Sequence, residues 1–196
     1  EHRLARGNIA AIIYSNPNNP SWICFTESEL ECIGHLATQH DTIVLEDLAY
    51  LGMDSRTYIG RPYEPPYQST VARYTDNYIL LLSASKIFSY AGERVATAVI
   101  SDALFDREYP HLKKTLGMGT PGRAFIHTIL YTLSSGVSHS AQYALAAMYK
   151  AACDGRLNFV TENREYAARA ERLKSIFVRN GFHIVYDIDG NVPISD

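Results

Sequence analysis

The segment Tyr78-Ile79-Leu80-Leu81-Leu82, followed at once by Ser83-Ala84-Ser85-Lys86, decides the fold class of this 196-residue chain. Its first five residues would place apolar side chains on both faces of an extended strand. That pattern is typical of a strand in a sheet that is covered on both sides. We therefore predict a buried strand whose carboxyl end leads into a polar cluster.

Three other apolar runs, Ile9–Tyr14, Thr42–Leu45 and Val95–Ile100, predict further strands, the first of them buried. Between the first two, Thr26-Glu27-Ser28-Glu29 is a capping box that predicts the start of a helix. The apolar positions of that helix recur every three or four residues: Leu30, Ile33, Leu36 and Ala37. Strands that alternate with a helix predict an α/β fold, with a mostly parallel sheet flanked by helices.

Polar side chains follow three of these predicted strands. Asn16–Asn19 follow the first strand, Asp47 and Tyr50 follow the second, and Ser83–Lys86 follow the third. Open α/β sheets bind ligands outside the carboxyl ends of their strands. The sequence thus predicts a binding site where these three clusters meet at one edge of the sheet.

The remaining segments indicate a long loop and a helical last third. Residues Tyr58–Asp76 are rich in Pro, Tyr and Gly and predict an irregular segment. A long helix is expected to end at Asn180-Gly181, and Phe182–Tyr186 predicts a strand before the hairpin signal Asp189-Gly190. We predict a large domain over residues 1–165. Residues 166–196 then form a linking helix and the start of a smaller α+β domain. One apolar face of the helix is expected to carry Tyr166, Ala170, Leu173 and Phe177.

Composition argues against several classes of partner. The formal charge of −3 provides no attraction for nucleic acid or for an anionic membrane. The longest strictly aliphatic stretch is four residues, far below the ~20 that a membrane-spanning helix needs. The three cysteines form no CxxC pair, which favours reduced thiols and a cytoplasmic location. The seven histidines show no metal-ligand spacing, so we predict no metal site.

Two formal motif matches lack the context that their chemistry needs. Gly117–Gly122 fits GxGxxG, but a polar, basic segment precedes it where a dinucleotide site requires a strand. Ser83–Lys86 fits the SxxK signature of acylating serines, but the Ser-Asp-Asn and Lys-Thr-Gly elements of those enzymes do not occur. We set both aside.

Three motifs taken together resemble one family of enzymes. They are Ile13–Pro20, Leu45–Tyr50 and Ser83–Arg94, each at a predicted strand end and in this order along the chain. Together they resemble the class I/II aminotransferases, which are pyridoxal-phosphate enzymes of fold type I. The resemblance covers nearly the whole chain. Where the family has Asn-Pro-Thr-Gly, this chain has Asn19-Pro20-Ser21-Trp22.

The resemblance implies pyridoxal 5′-phosphate as cofactor and assigns a role to each matching residue. Lys86 is expected to form the Schiff base with the cofactor aldehyde, and its burial and the nearby Arg94 are expected to lower its pKa. Asp47 is expected to pair with the protonated ring nitrogen. Asn19 and Tyr50 are expected to hydrogen-bond the ring oxygen. The phosphate is expected to be bound by Ser83, Ser85 and Arg94. Asn16 and Asn18 are interpreted as turn formers.

The implied activity is transfer of an amino group from an amino acid to a 2-oxo acid. Two alternatives remain: a β-lyase that uses the same cofactor on a sulfur amino acid, and a non-catalytic sensor domain of a transcription regulator. The resemblance also implies a homodimer, and it implies that the chain is the central part of a longer enzyme. The family's amino-terminal phosphate cradle and carboxylate-binding arginine lie outside the matching segment, so we expect the chain alone to lack full activity.

Overall fold

The computed structural model describes residues 1–54, 58–190 and 192–193, and a four-stranded sheet forms the centre of the described chain. Its strands are β1 (Ala11–Ser15), β2 (Ile43–Asp47), β3 (Tyr78–Ser83) and β4 (Ala96–Ile100), side by side in that order. β1, β2 and β3 are parallel, whereas β4 runs antiparallel to β3. The predicted α/β fold, with a mostly parallel sheet flanked by helices, is confirmed.

Helix α1 (Glu27–Gln39) covers one face of this sheet and begins at the predicted capping box. The Thr26 hydroxyl accepts from the backbone nitrogen of Glu29, while the Glu29 carboxylate accepts from that of Thr26. Both bonds satisfy amide groups that the first turn of a helix leaves without partners. The helix packs through Ala37 against Val44 of β2, together with Val71. This cluster fixes β2 and β3 beneath the helix.

Shorter helices and two long ones complete the described chain. Single turns of 3₁₀-helix lie at Leu4–Arg6, Val71–Arg73 and Ala91–Glu93, and a π-helical segment spans Ala124–Leu130. The remaining α-helices are α2 (Ala84–Ile87), α3 (Asp102–Phe105), α4 (Pro110–Leu116), α5 (Pro121–Arg123), α6 (Tyr131–Ser134), α7 (His139–Cys153) and α8 (Phe159–Arg179). On α7, Ala141 and Leu145 are buried against Ala84 and Val95, with Met148 beside them.

Burial of the strands differs from the prediction in one respect. β1 was expected to be a buried strand, but Ile13 is 72% exposed, and every residue of β3 is only half-buried. β1 pairs with β2 alone and is therefore an edge strand of the described sheet, whereas β3 lies between β2 and β4 and is only partly covered on its faces. An apolar run specifies a strand but not how many layers cover it.

The carboxyl-terminal part contains a second difference. Helix α8 ends at Arg179, with Asn180 as its cap and Gly181 at a positive φ of 85°, as the sequence predicted. Residues Phe182–Tyr186, however, form no strand. The hairpin lies later, between β5 (Ile188–Asp189) and β6 (Val192–Pro193), around the predicted Asp189-Gly190 turn.

A segment such as Phe182–Tyr186 makes a strand only where a partner edge is available, and this segment has none among the described residues. The predicted apolar face of α8 is also largely exposed at Tyr166, Leu173 and Phe177.

The division at residue 165 stays a prediction. The predicted second domain includes residues 194–196, which lie outside the described residues. Within the described part of the chain, no helix is long and apolar enough to cross a membrane.

Candidate active site

The carboxyl ends of β1, β2 and β3 lie at one edge of the sheet, because these three strands are parallel and in register. Ser15 is opposite Asp47, and Asp47 is opposite Leu81, two residues before Ser83. The polar clusters that follow each strand therefore share this edge, which is where an open α/β sheet binds its ligands.

Tyr50 lies at the centre of the candidate site. The Asn19 side-chain nitrogen donates a hydrogen bond to the Tyr50 hydroxyl at 3.2 Å. Trp22 packs edge-on against the Tyr50 ring, with 5.1 Å between ring centroids. From α2, the helix that follows β3, the Lys86 ammonium nitrogen lies 5.9 Å from the same ring centroid. Residues from all three strand ends thus meet at one tyrosine.

Asp47 is the last residue of β2 and is half-buried. Its Oδ1 accepts a hydrogen bond from the backbone nitrogen of Ala49 at 3.0 Å. That bond fixes the carboxylate plane at the strand end. A carboxylate has four lone-pair sites, so Asp47 keeps acceptor capacity for a protonated ligand nitrogen.

The predicted phosphate-binding residues lie between the end of β3 and the start of β4: Ser83 ends β3, Ser85 is in α2, and Arg94 follows the 3₁₀ turn Ala91–Glu93. The Ser83 hydroxyl accepts from the backbone nitrogen of Ser85 at 3.2 Å and caps helix α2, while its own proton remains available to a ligand. Arg94 is exposed and has a left-handed backbone with φ of 51°. Its Nη1 donates to the Ala91 carbonyl at 2.9 Å. The guanidinium fork therefore keeps further donors for an anion.

Lys86 differs from the sequence-based expectation. It was predicted to be buried, but its side chain is exposed at the carboxyl end of the four-residue helix α2. Lys86 lies beside the Tyr50 ring and belongs to neither of the two buried apolar clusters. A cavity of about 750 Å³ lies elsewhere, between β4 and the later helices, with Ala98, Phe125, Leu145 and Tyr149 in its lining. It contains none of the predicted site residues.

Sequence reasoning missed a buried network directly behind these residues. Glu46 is fully buried on β2, and Asn16 is 2% exposed at the end of β1. The Asn16 side-chain nitrogen donates to Glu46 Oε1 at 3.2 Å, and the backbone nitrogen of Val71 donates to Glu46 Oε2 at 2.8 Å. Asn16 Oδ1 accepts from the backbone nitrogen of Phe25 at 3.0 Å.

The interpretation of Asn16 as a turn former is therefore wrong, because its side chain makes two tertiary hydrogen bonds in the interior. Asn18 does act locally: its side chain bonds Ser15 and Ser21, three residues to either side. The signal for Glu46 was present in the sequence as a carboxylate that directly extends the apolar run Thr42–Leu45. Glutamate side chains are rarely buried unless they have hydrogen-bond partners.

Burial shifts the acid–base properties of this network. Loss of hydration raises the pKa of the Glu46 carboxyl, and the hydrogen bonds from Val71 and Asn16 oppose that rise only in part. Burial, and then the adjacent Glu46 carboxylate, raise the pKa of the Tyr14 hydroxyl. The Tyr14 ring packs edge-on against Phe25 at 4.9 Å.

The donor set at this edge fits pyridoxal phosphate. The amine of Lys86, the carboxylate of Asp47, the amide–phenol pair and the Ser83 hydroxyl match in kind the aldehyde, ring nitrogen, ring oxygen and phosphate of that cofactor. No described contact joins the Arg94 guanidinium to these groups. The described residues contain no group of three or more His, Cys, Asp and Glu side chains that could hold a metal ion.

The family is established by comparison with known proteins. The model of the family "Aminotransferase class I and II" matches residues 2–194, which is almost the entire chain. The chain belongs to this family.

Individual relatives agree with that assignment. An aspartate aminotransferase of Bacillus subtilis is 28% identical over 92 residues, which are 47% of this chain and 22% of that protein. A histidinol-phosphate aminotransferase of Brevibacillus brevis is 33% identical over 108 residues, 55% of this chain and 28% of that protein. The chain thus spans less than a third of the length of these relatives.

The solved structures share the fold at low sequence identity. Thermus thermophilus aspartate aminotransferase with maleate superimposes with a TM-score of 0.63 at 20% identity, over 94% of this chain and 42% of that one. N-Succinyldiaminopimelate aminotransferase from Mycobacterium tuberculosis gives a TM-score of 0.64 at 18% identity, over 90% of this chain and 39% of that one.

Proposed function

We propose that this chain is the cofactor-binding part of an aminotransferase that uses pyridoxal 5′-phosphate to move an amino group from an amino acid to a 2-oxo acid. The observation that carries the proposal is the meeting of Asn19, Tyr50 and Lys86 at the carboxyl edge of the sheet. Family membership supports it, since the family is named for aminotransferases.

When bound, the cofactor supplies an aldehyde that reacts with amines and a ring that accepts the electron pair left at the substrate Cα. In this proposal Lys86 Nζ is the amine that the substrate displaces. Once displaced, Lys86 would act as the base that takes the proton from the substrate Cα and as the acid that delivers it to the cofactor carbon C4′.

The other side chains bind and orient. Asp47 keeps a proton on the ring nitrogen, because a carboxylate beside a pyridinium favours its charged form. Asn19 and Tyr50 donate to the ring oxygen and stabilise its negative charge. Ser83, Ser85 and Arg94 hold the phosphate through hydroxyls and a bidentate guanidinium.

The relatives reported above are named as transferases of amino groups, and neither a β-lyase nor a regulatory sensor is among them. We therefore keep amino transfer as the one candidate function. The proposal also includes an amino acid and a 2-oxo acid as substrates, a cytoplasmic location and a homodimeric assembly.

The test is reduction with borohydride after incubation of the protein that contains this chain with the cofactor, followed by peptide mapping. We expect the pyridoxyl group on Lys86 and a loss of labelling in Lys86→Ala. Lys150→Ala is the matched control, because Lys150 pairs with Asp154 on the surface, at the end of α7. A label on Lys113, Lys114, Lys150 or Lys174 in place of Lys86 would refute the assignment.

A further inference from the structure

The loop between β1 and α1 is closed upon itself and is attached to the sheet at its base. Within it, the backbone nitrogen of Asn18 donates to the Ile23 carbonyl at 2.9 Å, and that of Trp22 donates to the Asn18 carbonyl at 2.7 Å. At the base, the Asn16 side chain accepts from the Phe25 backbone. The loop, which carries Asn19, is therefore linked to Asn16 at its base by its own hydrogen bonds.

Glu46 is the group that holds Asn16 in place. The orientation of the Asn16 amide is fixed, because its oxygen accepts from Phe25 and only its nitrogen is left to face Glu46. The second Glu46 oxygen faces the backbone nitrogen of Val71, which is also only a donor. Each side-chain oxygen of residue 46 therefore faces a fixed donor and must act as an acceptor. A carboxylate meets this condition, because both of its oxygens accept hydrogen bonds.

A further bond ties the same loop to the segment that carries Tyr50. Gln68 donates from its side-chain nitrogen to the Asn16 carbonyl at 3.4 Å and accepts from the Gly52 backbone at 2.7 Å. Asn16 is therefore held from the sheet by Glu46 and from the Tyr50–Gly52 turn by Gln68. The distance between Asn19 and Tyr50 depends on both attachments.

We propose that Glu46 is a positioning residue for the candidate active site: through Asn16 it sets the position of the loop that brings Asn19 to Tyr50. Glu46 and Asp47 are adjacent on β2, and their side chains point to opposite faces of the strand. One strand end thus supplies the acidic group of the site on one face and the loop anchor on the other. The expected effect of Glu46 on cofactor binding rests on the proposed function.

Trp22 provides a readout of loop position that needs no cofactor. It is the only tryptophan of the chain, lies in the loop and packs against Tyr50. Acrylamide quenching of its fluorescence in the folded, cofactor-free 196-residue chain therefore reports how closely the loop lies against the Tyr50 turn.

Single substitutions break the match of donors and acceptors, and a double substitution restores it. Glu46→Gln turns an amide nitrogen toward one of the two fixed donors, whereas Asn16→Asp places two carboxylates face to face. In the double variant, the position-46 amide can donate to the position-16 carboxylate and accept from Val71. Phe25 keeps its acceptor, and the net charge equals that of the native pair.

We expect each single variant to raise the quenching constant of Trp22 about twofold and to weaken cofactor binding about tenfold, as loss of one well-placed hydrogen bond would. The double variant should return both values to near the native level. Two controls apply: Glu31→Gln makes the same chemical change on the exposed face of α1, and Leu104→Ala destabilises a remote buried site on α3. Both should leave Trp22 quenching unchanged.

Native quenching in both single variants, or the same increase in Leu104→Ala, would overturn the proposal. Should the single variants fail to fold, a folded double variant with native quenching supports it, and an unfolded double variant refutes it. If the native protein binds no pyridoxal phosphate, the proposed function fails, whereas the Trp22 measurement still decides whether Glu46 positions the loop.

Discussion

The side-chain nitrogen of Asn19 donates to the hydroxyl of Tyr50 across 3.2 Å, joining residues that lie 31 positions apart in the chain. Asn19 comes from the loop after β1 and Tyr50 from the turn after β2. Because Asn19 donates, the Tyr50 hydroxyl proton is left to point toward a ligand. The pair therefore presents donors from two strand ends to the same place, as binding of one anionic oxygen requires.

Removal of the Tyr50 hydroxyl should change the acid–base behaviour of bound cofactor. In Tyr50→Phe the ring stays, and with it the contacts to Trp22 and Lys86, but one donor to the ring oxygen is lost. We expect the pH midpoint of the visible spectral change to rise by about one unit, because the anionic oxygen is less stabilised. A spectrophotometric titration measures this shift.

The exposed Tyr166 provides the matched control, and Tyr166→Phe should titrate like the native protein. Asn19→Ala should shift the midpoint in the same direction. The double variant should shift it by less than the sum of the two, since the residues are in contact. Full additivity would show that the two side chains act independently.

Replacement of Asp47 by asparagine should leave cofactor binding partly intact and reduce turnover by at least about a hundredfold. The amide is nearly isosteric and can still accept from Ala49, but it carries no charge to keep the ring nitrogen protonated. Single-turnover amino transfer is the measurement. Asp102→Asn, at the start of α3 and remote from the strand ends, is the control. Near-native rates in Asp47→Asn would rule out this role.

The raised pKa of Glu46 predicts a specific dependence of stability on pH. A buried carboxyl with a folded-state pKa above its ordinary value of 4.5 binds more protons in the native state than in the unfolded state. Its contribution to the free energy of unfolding is therefore fully present below pH 4.5 and is lost as the pH rises through the folded-state pKa. Tyr14, the titratable neighbour, stays protonated in this window because its own pKa is raised.

Urea unfolding across about pH 4 to 8 should show this slope. The difference in unfolding free energy between the native chain and Glu46→Gln should shrink as pH rises. The corresponding difference for Glu31→Gln, an exposed glutamate, should stay flat by comparison. A Glu46→Gln difference that grows with pH would show that the folded-state pKa is lowered rather than raised.

The sequence was sufficient for the features that local chemistry determines. The capping box at Thr26 and the helix stop at Gly181 follow from residue types within a few positions. The strands β2 and β3 continue past the predicted runs Thr42–Leu45 and Tyr78–Leu82 by two residues and one residue. The three parallel strand ends then follow from topology, and with them the meeting of Asn19, Tyr50 and Lys86.

Features that depend on distant neighbours could not be predicted in the same way. Ile13 is apolar but exposed, because burial depends on what covers an edge strand. Asn16 lies in a run of Asn and Pro that indicates a turn, and only the fold brings its amide to Glu46. Phe182–Tyr186 has a strand-like pattern but no partner edge, and β pairing is a tertiary property.

The exposed site leads to a last prediction, about the 196-residue chain alone. Lys86 and Arg94 are both exposed in the described structure. The chain spans about two fifths of the solved aminotransferases it resembles. A site held on one side leaves its side chains mobile, which lowers affinity. Helix α2, with four residues, contributes few aligned amides to an anion.

We therefore expect the isolated chain to bind pyridoxal phosphate weakly, in about the millimolar range typical of a few unshielded contacts, and to show no amino transfer. Equilibrium dialysis with the cofactor is the measurement, and Lys86→Ala is the matched control. Because any exposed lysine reacts weakly with excess aldehyde, binding in Lys86→Ala should be reduced only slightly. Tight, stoichiometric binding that depends on Lys86 and is accompanied by turnover would show that the described residues suffice to build the site.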